Sequence, residues 1–97
     1  MQLNDVIQLA LDFGMDDFAI LLRNGGEDLL DDLRCQGFVF IPYYDFGSEK
    51  DNIEYMMSGH YCENIYINTT ASLEQISTKL KPTNQSLVHD FIKKINR

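Results

Sequence analysis

The sequence predicts an α+β fold: an N-terminal helical lobe, a small antiparallel sheet of two or three strands, and two C-terminal helices. Three observations lead there. Helical periodicity with capping residues fills positions 1–37, short apolar or alternating runs fill the middle, and helical periodicity returns from about position 70. Strands grouped between helices, rather than alternating with them, indicate α+β.

Asn4 caps a first helix over about Asp5 to Phe13, closed by Gly14. Its polar residues Asp5, Gln8 and Asp12 form one narrow stripe, so the helix must be covered on more than one side. Asp16 caps a second, from about Asp17 to Asn24, with Phe18, Leu21 and Leu22 facing inward. The Asn24-Gly25-Gly26 break ends it. A third runs from about Glu27 to Gln36 with Gly37 at C′; Leu29, Leu30 and Leu33 point inward and Asp28, Asp31 and Asp32 share the opposite face.

Phe38 to Ile41 is a continuous apolar run stopped by Pro42, which reads as a buried strand. A polar, glycine-containing loop covers Asp45 to Asn52. Ile53, Tyr55 and Met57 alternate as in a strand, although Ile53, Met56 and Met57 also fit a helix starting after Ser48; the strand is the reading adopted. Asn64 to Thr69 alternates, with Ile65 and Ile67 on one face. Thr70 caps a helix over about Ala71 to Leu80, stopped by Pro82. Asn84 caps the last, about Gln85 to Ile95, on an apolar stripe of Leu87, Val88, Phe91, Ile92 and Ile95.

At 97 residues the chain fits one domain, 1–97, with an ordinary apolar content that argues against global disorder. No apolar run reaches the roughly 20 residues needed to span a bilayer, and no basic-plus-apolar leader opens the chain. Cys35 and Cys62, far apart and outside any CxxC, read as reduced thiols of a cytoplasmic protein, with Cys35 a small buried hydrophobe.

Charge is the most uneven property. Residues 1–37 hold eight carboxylates (Asp5, Asp12, Asp16, Asp17, Glu27, Asp28, Asp31, Asp32) against Arg23 and Arg34, while 71–97 hold Lys79, Lys81, Lys93, Lys94 and Arg97 against Glu74 and Asp90. The net charge of −7 disfavours binding to nucleic acid or an anionic membrane over the whole surface. Glu27/Asp31 and Asp28/Asp32 are like-charge pairs at i, i+4, a mildly destabilising arrangement without an obvious folding rationale. Carboxylates in rows at helical spacing complement a Lys/Arg-rich surface and imitate the phosphates it normally binds. Tyr43, Tyr44 and Phe46 add aromatic residues of the kind enriched in interface cores.

Other chemistry is thinly supported. His60 and Cys62 make one close pair, but Cys35 and His89 stand alone, so a structural zinc site is not expected and no cofactor is implied. Neighbouring strand positions point to opposite faces, which spoils a relay built from His60, Cys62 and Glu63. The basic end of the last helix suits its own dipole or the acidic lobe, and is too small for more than weak phosphate binding.

Residues 7–33, through Phe13-Gly14-Met15, Ala19, Leu21, Leu22, Gly25-Gly26, Leu29, Leu30 and Leu33, resemble a ubiquitin-associated three-helix domain. That family contacts ubiquitin through a Met-Gly-Phe-type loop. Here the order is Phe-Gly-Met and the spacing to Ala19 is one residue short, so ubiquitin binding is not carried over.

The expected function is a small, acidic, non-enzymatic inhibitor of the immunity-protein, antitoxin or phage anti-defence (anti-CRISPR-like) type. It docks on a basic surface of a nuclease or other nucleic-acid enzyme through Asp16, Asp17, Asp28, Asp31 and Asp32, with Tyr43, Tyr44 and Phe46 as anchors. The alternative is a regulatory or scaffold domain that forms a homodimer or joins a larger assembly through exposed apolar surface.

Overall fold

The computed structural model describes residues 2–40, 45–56 and 69–95. They form helices α1 (Leu3–Asp12), α2 (Asp16–Cys35), α3 (Glu49–Met56), α4 (Thr69–Ser77) and α5 (Pro82–Ile95), and no strand occurs among the described residues.

The expected α+β class is therefore corrected: the described residues are all-helical. Phe38 and Phe40 are buried and Val39 half-buried, as the run predicts, but the segment forms no ladder among the described residues and its two phenylalanines join the helical core. Ile41 lies outside the described residues. The Ile53–Met57 strand is the helix α3: Ser48 Oγ accepts the Asp51 N–H at 3.2 Å, and Ile53 and Met56, one turn apart, are both buried. A cap and a matching i, i+3 pair outweigh three alternating residues. Of the Asn64–Thr69 strand, 64–68 lie outside the described residues and Thr69 opens α4.

Helix ends follow local chemistry closely. Gln2, not Asn4, is the N-cap of α1, with its N–H donated to Asp5 Oδ2 at 3.2 Å. α1 and α2 both close in Schellman motifs. Met15 N–H donates to Ala10 O and Gly14 N–H to Leu11 O; Phe38 N–H donates to Leu33 O and Gly37 N–H to Arg34 O. Each motif delivers a buried side chain, Met15 or Phe38, to the core just beyond the helix. The two helices expected over 17–36 are the arms of α2, bent at Gly26 (φ 62°, ψ −157°), a conformation closed to side-chain-bearing residues. Pro82 opens α5 at its first position, where its missing N–H costs nothing.

The core joins Val6, Leu9 and Ala10 of α1 and both arms of α2 (Phe18, Leu22, Leu29, Leu30, Leu33) to Ile53, Met56, Leu73, Val88 and Phe91. Phe18 and Phe91 meet with ring centroids 5.4 Å apart, fixing α5 against the first arm of α2. Asn52, 1% exposed, secures α3 by donating to Phe13 O at 3.0 Å and Asp45 Oδ1 at 2.9 Å while accepting the Phe46 N–H at 2.6 Å.

Candidate protein-binding surface

The aspartates of α2 separate into two groups. On the second arm, Asp32 accepts the Lys81 N–H at 3.0 Å and Asn84 Nδ2 at 2.8 Å. Asp28 forms an ion pair with Lys81 Nζ and accepts Asn84 Nδ2 at 3.3 Å. Lys81 is the residue before α5, so both carboxylates sit at that helix's positive end, where its first N–H groups lack internal partners. The Lys81 hydrogen bond holds the Asp28 carboxyl below the ordinary aspartate range, and the same bond pushes the Lys81 ammonium up. On the first arm, Asp17 meets Lys94 Nζ at 3.7 Å. α5 thus runs antiparallel to α2 and is tied to it at both ends.

The lysines of the C-terminal third are, in part, internal partners of the acidic lobe. The i, i+4 carboxylates Asp28 and Asp32 have a folding rationale after all, supplied by Lys81 and Asn84 about 50 residues away. Asp16, Glu27 and Asp31 behave differently. All three are exposed, and their side chains hold no hydrogen bond or ion pair among the described residues. Glu27 and Asp31 lie one turn apart on the second arm; Asp16 opens the first, across the Gly26 bend.

Glu49 is a functional group that periodicity alone does not reveal. It reaches from α3 to accept the Phe18 N–H in the first turn of α2, while its Oε1 is buried without a hydrogen-bond partner among the described residues. Burial raises its pKa, and Asp17 and Asp16 push it further up, against the Phe18 N–H and Lys94.

Phe46 is 40% exposed and meets Tyr55 edge-on at 5.0 Å; Tyr43 and Tyr44 lie outside the described residues. Among the described residues Ile20 is the other large exposed apolar residue, at 44%, and sequence reasoning missed it. Its only signal was its place off the inner face of the first arm.

Cys35 is exposed at the end of α2, not buried as expected, because the last turn presents it beside Arg34 rather than Leu33 to solvent. His89 Nε2 lies 3.1 Å from Ser77 Oγ, and His60 and Cys62 fall outside the described residues. Among the described residues no three His, Cys, Asp or Glu side chains converge on a metal position, and no helix is long and apolar enough to cross a membrane.

No protein-family model matches the chain, and no curated protein or solved structure matches it.

Proposed function

We propose that this chain is a small, non-enzymatic, cytoplasmic protein-binding inhibitor that docks on a basic surface of a nuclease or other nucleic-acid enzyme. The supporting observation is the exposure of Asp16, Glu27 and Asp31 on the two arms of α2, carboxylates with no side-chain hydrogen bond or ion pair among the described residues, in a chain of net charge −7. Solvated carboxylates held on a packed helix give a fixed negative field, which steers a basic partner and weakens with salt. Asp17, Asp28 and Asp32 add to that field while serving α5, so they are secondary contacts. Phe46, exposed at the α3 end, is the aromatic anchor.

The test starts with affinity capture from the host at low salt and identification of the captured enzyme. Association of the two purified proteins is then followed by stopped-flow across a salt series. The variant D16N/E27Q/D31N should fold normally and associate about tenfold more slowly at low salt, with a shallower salt dependence. An association rate that is indifferent to both salt and these three charges would refute the proposal.

A further inference from the structure

Between the first arm of α2 and the C-terminal half of α5 runs a groove of about 230 Å³. Leu21 and Phe91, both buried, form its apolar floor, with Ile20 and half-buried Leu87 on its two sides. Asp17 and Asp90 stand at its edge, with Asp16 next in the chain; Lys94, the cation at the same edge, is already held by Asp17. The opening is therefore apolar inside and negative outside.

We infer that this groove receives an apolar side chain of the partner protein, presented on a segment whose neighbouring residues are lysine or arginine. The inference deepens the proposed function and rests on it: the carboxylates attract the basic partner, and the groove fixes where it seats. The chemistry at the edge selects the occupant. An acidic or uncharged segment gains nothing from an edge that carries two carboxylates against one ammonium, whereas a basic segment pairs with Asp90 as its apolar residue displaces water from Ile20 and Leu87. A half-exposed isoleucine beside an apolar floor supplies the central contact that such interfaces concentrate their affinity in.

Two synthetic helical peptides of equal charge test it, one of leucine and lysine, the other with serine in place of every leucine. The leucine peptide should bind the full chain about tenfold more tightly than the serine peptide, the worth of burying one large aliphatic side chain. It should shift the Ile20 and Leu87 methyl resonances, and Ile20→Ser should erase the preference while leaving the melting temperature unchanged. Equal affinities, or a preference that survives Ile20→Ser, overturn the groove; if binding of both peptides still falls with salt and in D16N/E27Q/D31N, the acidic-surface reading stands without it. Leucine-peptide binding that ignores salt, Asp90→Asn and D16N/E27Q/D31N alike would overturn the basic character of the occupant and the acidic-surface reading together. A dimer in sedimentation velocity that Ile20→Ser dissolves would assign the groove to a second copy and overturn the inference.

Discussion

Asn84 donates to Asp32 Oδ2 at 2.8 Å across 52 residues of sequence, and this bond sets how α5 meets α2. Asn84 is 2% exposed, so its amide has little access to water if the carboxylates are lost. The pairing also explains why a buried polar residue sits in the first turn of a helix whose neighbours Val88 and Phe91 are apolar. Asn84→Ala should lower stability by about 1–3 kcal/mol, the cost of unpaired buried groups, as read by urea denaturation. An unchanged midpoint would mean that the Lys81 and Lys94 ties and the apolar contacts of Phe91 hold α5 without Asn84.

Neighbouring aspartates should respond in opposite ways. Asp32→Ala removes the acceptor for Lys81 N–H and Asn84 and should cost about 0.5–2 kcal/mol, the range for a lost helix cap. Asp31→Ala touches no bond of the described fold and should leave the thermal midpoint in place while weakening partner binding. Equal destabilisation by both would contradict the division of labour along this arm.

Acid stability should pass through a maximum. Glu49 has a raised pKa in the fold, so its ionised form works against folding at neutral pH. That penalty disappears as pH falls through its raised value toward that of the unfolded chain. Asp28 and Asp45 have lowered values, the first from Lys81 and the second from the Gly47 N–H and Asn52; the stability they contribute is present above the ordinary aspartate value and is lost as pH falls through the lowered ones. Glu49→Gln keeps an acceptor for the Phe18 N–H and should raise the melting temperature at pH 7. The gain should vanish in acid, where wild-type Glu49 is protonated. A constant difference across pH would show that Glu49 ionisation is not the source.

The bend in α2 leaves little room. A Cβ on Gly25 would stand 2.4 Å from Leu29 Cβ, a collision between two backbone-anchored atoms. Gly25→Ala should therefore cost about 1–3 kcal/mol, as overpacking does, despite the higher helix propensity of alanine. Stabilisation by this substitution, measured in the same denaturation assay, would show that the arms can straighten.

The sequence's legible parts were those whose causes are local. Gly14 and Gly37 end helices where expected because a C′ glycine acts through bonds to the preceding turn. Leu29, Leu30 and Leu33 are buried as their spacing implies. The sheet failed because Ile53, Tyr55 and Met57 satisfy a two-residue period by coincidence, while Ser48 and Asp51 carry the stronger local signal. The candidate site was half legible. Exposed Asp16 and Asp31 follow from helical phase, but the capture of Asp28 and Asp32 by Lys81 and Asn84 depends on the antiparallel placement of α5, which no local pattern encodes. Glu49 was missed for the same reason, since its partner Phe18 belongs to another helix.

The ties between α2 and α5 span 49 to 56 positions at one end and 77, from Asp17 to Lys94, at the other. Closing so wide a loop is slow relative to forming neighbouring turns. The encounter of the final helix with its distant mate is thus expected to limit the folding rate, so that trimming Phe91 slows refolding more than trimming Leu9 does.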